Sequence, residues 1–231
     1  MGAFKSGMFD PGRVFRCSPA KPQMFTAVKK LRKKIFMLKK IKKILLFEKH
    51  TCPWWLAYTW DNRIRPFFQN ADIILKPYMN SGITALDVGC GMGYFSIHMS
   101  KYIGEEGKVI SVDIQKEMLE ILKRRTEKSG LDNIIKPILS QGDLSGISER
   151  IDFALNFWML HEVDSQKKMV KQIYDLLNPG GKYLIAEPII HTSNKYFESI
   201  IEMCNEVGFI VESNPKITFS RSVLLSKQKV V

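Results

Sequence analysis

The segment best equipped for chemistry is Ala85-Leu86-Asp87-Val88-Gly89-Cys90-Gly91-Met92-Gly93-Tyr94-Phe95-Ser96. An apolar run meets a carboxylate, three glycines follow at alternate positions, and a helical pattern begins. Glycine lets a backbone turn sharply and approach a ligand without interference from a Cβ. The start of the next helix offers free N–H groups and positive potential, which suit a carboxylate. Dinucleotide folds space their glycines as G-x-G-x-x-G. Here the third glycine comes one residue early and Asp87 precedes the turn, and both differences weigh against a nicotinamide dinucleotide. Twenty residues past Gly93, the run Val109-Ile110-Ser111-Val112 ends in Asp113. In a nucleotide-binding α/β fold, an acid at that place reaches the ribose hydroxyls, and an ionised carboxylate can accept from both.

Two further stretches hold reactive side chains. In Phe157-Trp158-Met159-Leu160-His161-Glu162-Val163, His161 titrates near neutrality and is the best general base. Glu162 is expected to face solvent, and Asp164 to cap the helix that starts near Ser165. In Glu187-Pro188-Ile189-Ile190-His191, His191 is a second polar candidate. Cys52-Pro53-Trp54-Trp55-Leu56-Ala57-Tyr58-Thr59-Trp60 is dense in aromatics. It either forms a lid with cation–π reach or packs the N-terminal arm onto the domain. The four cysteines (Cys17, Cys52, Cys90, Cys204) have no metal-ligand spacing and are too sparse for a disulfide framework. No metal site is therefore expected, and a reducing compartment is.

The elements that must position these residues follow from periodicity and punctuation. Strands are expected at Ile83–Val88, Lys108–Asp113, Ile134–Leu139, Ile151–Asn156, Lys182–Glu187, Phe209–Ser213 and Ile217–Leu225. Helices are expected at 62–80, 94–102, 116–129, 165–177 and 194–207. Asn178-Pro179-Gly180-Gly181 stops one of them, since proline cannot continue a helix and glycine accepts the left-handed turn. Strands alternating with helices at this spacing indicate a doubly wound, mostly parallel α/β sheet. Such a sheet binds ligands beyond the carboxyl ends of its strands.

The charge is unevenly spread. The 231 residues carry a net +12, and residues 1–50 hold all of it, with fourteen Lys and Arg against Asp10 and Glu48. Residues 51–231 are balanced at 21 basic and 21 acidic residues. The chain is read as a basic N-terminal extension (1–50) on a neutral domain (51–231). Within the extension, Met24, Val28, Leu31, Ile35, Leu38, Ile41 and Leu45 form an apolar stripe among lysines, which predicts an amphipathic helix over 24–47. Lysines interrupt it too often for a membrane-spanning segment. A helix of this kind lies on an anionic membrane, packs on the domain or grips RNA phosphates.

Leu86-Asp87-Val88-Gly89-Cys90-Gly91-Met92-Gly93 resembles the first motif of class I S-adenosylmethionine-dependent methyltransferases. Val112-Asp113 is similar to their ribose-binding acid, and Leu177-Asn178-Pro179-Gly180-Gly181-Lys182-Tyr183-Leu184-Ile185 to the turn into their fifth strand. The resemblance spans roughly residues 62–225. It implies a Rossmann-like sheet of seven strands with the last antiparallel, and S-adenosyl-L-methionine as cofactor. It puts Asp87, Gly89, Cys90, Gly91 and Gly93 on the methionine part and Asp113 on the ribose. Ile114, Gly142, Asp143 and Asn156 complete the expected cofactor set, with Ser140 or Gln141 as alternatives to Asp143 at the adenine. The loop holding His161 would face the transferring methyl. Asn156-Phe157-Trp158 lacks the prolines of the family's amide and adenine N-methyltransferases, which argues against those acceptors. The acceptor expected is a small, apolar or lipid-like molecule, and the location expected is cytoplasmic, with peripheral membrane contact through residues 24–47. An RNA methyltransferase using the arm and a non-catalytic S-adenosylmethionine binder are the alternatives. The neutral domain argues against RNA.

Overall fold

The computed structural model describes residues 65–229. The basic extension, its helix at 24–47, the aromatic run 52–60 and the first residues of the expected 62–80 helix lie outside them. The described chain opens with α1 (Arg65–Phe68), α2 (Ala71–Leu75) and a 3-10 turn (Lys76–Tyr78). It continues as β1 (Thr84–Val88), α3 (Tyr94–Ile103), β2 (Lys108–Asp113), α4 (Lys116–Ser129), β3 (Ile135–Leu139) and β4 (Ile151–Phe157). After a 3-10 turn at Leu160–Glu162 come α5 (Gln166–Leu176), β5 (Leu177–Pro188), α6 (Asn194–Val207), β6 (Phe209–Ser213) and β7 (Ser220–Lys227).

The strands form one seven-stranded sheet in the order β3-β2-β1-β4-β5-β7-β6. All neighbours are parallel except β7, which runs antiparallel to β5 and β6. The expected doubly wound sheet is present. Its central strands are buried almost end to end, because helices cover both faces of a parallel sheet. Alternation along each strand sends side chains to opposite cores. Leu86, Val88, Ile110 and Val112 pack with Val170 and Ile173 of α5 and Ile200 of α6. Ala85, Val109 and Leu155 pack with Phe95 and Met99 of α3 and Leu122 of α4.

The strand order reverses between β1 and β4. Val88 pairs with Val112 on one side and with Asn156 on the other. This register brings the carboxyl ends of β1, β2, β4 and β5 to one edge, at the point where helices diverge to opposite faces and leave a crevice.

Local departures have local causes. The expected helix at 62–80 is broken, because the Asn70 side-chain Oδ1 accepts from the N–H groups of Asp72 and Ile73 (2.9 and 3.2 Å) and caps a new helix there. Gly180 adopts a φ of +81° as the expected turn requires, yet the residues around it still pair with β4 across a register shift, so β5 begins at Leu177. β7 begins at Ser220 instead of Ile217, because Ser220 N–H closes a turn on Ile217 C=O (3.1 Å). The residue before α5 is Ser165, not Asp164, and no side-chain hydrogen bond caps that helix.

The third glycine of the turn is needed for packing. Gly93 has a φ of +84°, and a Cβ there would lie 2.2 Å from Leu122 Cδ1 of α4. Gly93→Ala is expected to lower stability by about 2–4 kcal/mol, the sum of a left-handed backbone penalty and an overpacked core. Urea unfolding measures this, and an unchanged midpoint would contradict the packing role.

Candidate active site

A cavity of about 680 Å³ opens beyond the carboxyl ends of β1, β2, β4 and β5. Its floor is the glycine turn. Gly89 and Cys90 N–H both donate to Val112 C=O (2.8 and 3.0 Å), which straps the turn to β2. Gly91 N–H donates to Asp113 Oδ2 at 2.9 Å, and Asp113 Oδ1 accepts from Gln115 N–H at 2.9 Å. One carboxylate thus braces both loops. The carboxylate keeps lone-pair capacity for a ligand hydroxyl. Burial raises the Asp113 carboxyl above its ordinary value, although the Gln115 and Gly91 N–H groups pull it back.

Only one of the alternating glycines faces open space. A Cβ on Gly89 would lie 2.3 Å from Met159 Cγ, whereas one on Gly91 would meet nothing within 4 Å. Gly91 has a φ of +54° and lies on the cavity wall. A side chain here would project into the ligand space and would also strain the backbone.

Asp87 is buried at the back of this wall. Ser96 Oγ of α3 donates to its Oδ2 (2.6 Å), and Ser111 Oγ of β2 donates to Ser96 Oγ (2.8 Å). Burial pushes the Asp87 carboxyl up to about 6, against the Ser96 hydrogen bond and the Arg65 charge, which lower it. A cationic ligand beside it would favour the ionised form. The Cys90 thiol is held well above its ordinary value by burial and by the charges of Asp87 and Asp113, so it stays protonated.

Five of the expected cofactor residues (Asp87, Gly89, Cys90, Gly91 and Asp113) line this part of the cavity, and Ile114 and Gly142 line it as well. Three do not. Gly93 lies behind the turn against Leu122. Asp143 turns outward, where Ser145 Oγ donates to its Oδ1 (2.8 Å) and Lys168 Nζ to its Oδ2 (3.3 Å), leaving Ser140, Gln141 and Gly142 on the wall. Asn156 is wholly buried beneath Met159, and its Oδ1 accepts from the Tyr183 hydroxyl (2.7 Å). Asp143 and Asn156 share a cause, since each polar group already has partners inside the protein, whereas Gly93 is kept behind the turn by packing.

The opposite wall carries His161. Its Nδ1 is hydrogen-bonded to Glu187 Oε2, and Leu160 N–H donates to Glu187 Oε1 (2.8 Å). Glu187 is wholly buried. A proton on Nδ1 held by this carboxylate leaves Nε2 with a lone pair. Burial lowers the basicity of His161, but the Glu187 hydrogen bond and the charges of Glu187 and Glu162 outweigh it, and the imidazole ends above its ordinary value. Glu162, expected to face solvent, instead lies with Oε1 4.0 Å from His161 Nε2. His191 stacks in parallel on His161 (5.5 Å, 7°), and burial with the charge of His161 lowers it.

Sequence reasoning passed over Glu187 as a site residue. It closes a buried strand as Asp113 does, and that position was the available signal. Two aromatic residues on the acceptor side, Trp158 and Phe219, have a φ of 58°, and they are the only described non-glycine residues with positive φ. Strain of this kind persists where surrounding structure over-determines it, as functional walls do. Trp158 is fixed by N–H to Ala186 C=O (2.7 Å) and Nε1–H to Ser220 Oγ (2.8 Å). The stretch holding Trp158 is the one expected beside the transferring methyl, but no local sequence signal marked Phe219 or the left-handed backbone of either residue.

Residues 79–224 match the family model of a methyltransferase domain, and the chain belongs to that family. Among its relatives, the demethylmenaquinone methyltransferase of Oceanobacillus iheyensis is 30% identical over 116 residues, which cover 50% of this chain and 49% of that protein. The ubiquinone/menaquinone biosynthesis C-methyltransferase UbiE of Wigglesworthia glossinidia brevipalpis is 28% identical over 134 residues, covering 56% and 54%. The chain spans about half the length of these relatives. A solved structure, a SAM dependent methyltransferase from Aquifex aeolicus, superposes with a TM-score of 0.68 at 21% identity, covering 76% of this chain and 99% of that one. At that identity the likeness shows the fold.

The coupling of His161 to Glu187 has a direct readout. In Glu187→Gln the larger of the two charges that offset burial is gone while Glu162 remains, so the His161 imidazole is expected to titrate lower than in the unmutated protein. An NMR titration of the ring protons measures the change, and an unmoved midpoint would break the assignment.

Proposed function

We propose that this chain transfers a methyl group from S-adenosyl-L-methionine to a small, apolar, lipid-like acceptor, with the catalytic domain at residues 51–231. The observation that carries the reading is the Asp113–Gly91 hydrogen bond, which sets a hydroxyl-accepting carboxylate beside a glycine facing open space. A cradle whose open position a Cβ would obstruct fits a ligand packed close on the backbone. Asp113 would take the ribose hydroxyls, Asp87 the cationic end of the methionine part, and the Ser140–Gly142 loop the adenine. Bound there, S-adenosylmethionine supplies a methyl group on an already activated sulfonium.

The protein's part is alignment, exclusion of water and removal of a proton. Holding the reactants in line supplies roughly 7–11 kcal/mol in favourable cases. The apolar wall of Phe157, Trp158 and Phe219 keeps the acceptor side dry. His161, with Nε2 available, removes a proton from an acceptor hydroxyl or activated carbon. Glu187 holds the ring in the required tautomer and stabilises the imidazolium that forms. The acceptor class is supported by the quinone-pathway names of the relatives and by the apolar wall. The charge balance of residues 51–231 favours it over RNA. A cytoplasmic location, with residues 24–47 touching a membrane surface, agrees with this reading. Among the described residues no helix is long and apolar enough to cross a membrane.

Calorimetry with S-adenosylmethionine is the primary test. Asp113→Ala is expected to weaken binding by about 100-fold or more, since it removes the hydroxyl acceptor and frees the Gly91 turn. The circular-dichroism spectrum should stay native-like, and retained affinity would defeat the reading. In the unmutated protein, Asp87 must be ionised to hold a cation. Affinity should therefore fall as pH drops through about 6, by up to about tenfold per unit.

His161→Asn is expected to lower turnover by about 10²–10⁴-fold while leaving S-adenosylmethionine affinity within about twofold. The rate of the unmutated enzyme should rise with pH as His161 loses its proton, at a midpoint above that of an ordinary histidine. A pH–rate profile that survives the substitution would assign the base elsewhere.

A further inference from the structure

Three separate segments meet at the acceptor side of the cavity and form an apolar rim. Phe219 and Ile190 line the cavity and are 52% and 68% exposed. Phe68 packs its ring 5.7 Å from that of Phe219, and Ile189 N–H donates to Phe219 C=O (3.0 Å). Phe67, next in line, is 85% exposed, and Ile189 is 45% exposed. Half of the large apolar side chains that the described residues expose thus belong to this one rim. A soluble surface seldom gathers so many around a single opening unless something docks there.

The charge of the rim says what docks. Segments 65–69, 188–195 and 214–221 carry Arg65, Lys195, Lys216 and Arg221 and not one carboxylate. The rest of residues 51–231 is correspondingly acidic, since the whole is balanced. Lys195 and Lys216 are exposed, and Arg221 bonds Asn194 (2.7 Å) at the start of α6, which follows the Ile189–Ile190 loop. Asp164, on the His161 side of the cavity, is the exposed carboxylate of this lining and lies outside the three segments. An apolar face edged by cations fits an anionic lipid surface, where aromatic and aliphatic side chains enter the acyl boundary and cations meet headgroups.

We propose that this rim docks the cavity mouth on an anionic bilayer, so that a lipid-like acceptor enters from the membrane between Ile190 and Phe219. The proposal rests on the acceptor class proposed above. It is separate from any contribution of residues 24–47, because it is built from the folded domain alone. The acceptor need never cross water, and its apolar part lies along the rim while its reacting atom faces His161.

The test uses the full chain and Phe67→Ser/Phe68→Ser/Ile189→Ser, three positions that do not line the cavity. Vesicles of phosphatidylcholine with phosphatidylglycerol are sedimented at about 0.5 M salt, where exposed charges are screened to within a few ångströms and the basic extension contributes least. The expected result is a several-fold loss of vesicle binding, with S-adenosylmethionine affinity by calorimetry kept within about twofold. At low salt, Lys216→Glu should weaken binding to these vesicles and leave binding to pure phosphatidylcholine unchanged. Equal sedimentation of the parent and both variants overturns the proposal. So does a substitution-sensitive dimer in analytical ultracentrifugation, which would give the rim to a second copy. If the parent binds vesicles through the rim but not S-adenosylmethionine, the functional reading fails while the docking stands. If it binds S-adenosylmethionine while the rim is inert, the reverse holds.

Discussion

The site depends on one carboxylate that ends one strand and braces the loop of the next. Asp113 closes β2, and its Oδ2 takes the N–H of Gly91 from the turn after β1. Parallel pairing puts Val88 beside Val112, so the two strands stop at the same height and their loops leave together. The alternate glycines of the turn offer no side chain to hold its ligand-facing backbone, while Cys90 and Met92 between them pack inward. Val112 C=O and the Asp113 carboxylate supply the missing restraints from outside. A ligand that bonds Asp113 therefore meets a backbone already ordered, and little conformational entropy remains to be lost on binding.

Three carboxylates stand at the ends of buried strands, and their surroundings divide the labour. Asp87 is solvated by two serine hydroxyls in series and sits near the pH at which it gains or loses a proton. Asp113 is tied to backbone N–H groups. Glu187 faces an imidazole and a backbone N–H. A buried anion without a partner is costly, so each has recruited donors suited to its task. Asp87, pushed up to about 6 by burial, gains from an incoming cation, which favours its ionised form. Glu187 is already paired and can act only through His161.

Much of this arrangement was legible in the residues. Asp87, the glycine turn and Asp113 are neighbours in sequence terms: a strand, a turn, and the end of the next strand. Their roles follow from short-range geometry, and the strand limits of β2 and the helix limits of α4 and α6 follow in the same way from periodicity and glycine caps. Asp143 and Asn156 went differently because proximity to a site does not decide where a side chain points. Asp143 is captured by Ser145 and Lys168, and Asn156 by Tyr183, 27 residues away. Glu187 beneath His161 is a contact across 26 residues that only the β4–β5 register creates. The left-handed backbones of Trp158 and Phe219 are set by tertiary hydrogen bonds and have no composition cue.

The two halves of the cavity are thus built from different materials. The half around Gly91 is mainly backbone and strand-terminal carboxylate, held by hydrogen bonds that tolerate little change. The half around Trp158, Ile190 and Phe219 is apolar side chain on loops between strands, fixed at a few points such as Trp158 Nε1–H to Ser220. Side chains on such loops change shape and volume without disturbing the sheet. A fold made this way keeps one ligand geometry constant while its acceptor pocket is free to diverge. Relatives that share the glycine turn can therefore differ in acceptor, and the chemistry particular to this chain has to be read from His161, Glu187 and the rim beside them rather than from the turn.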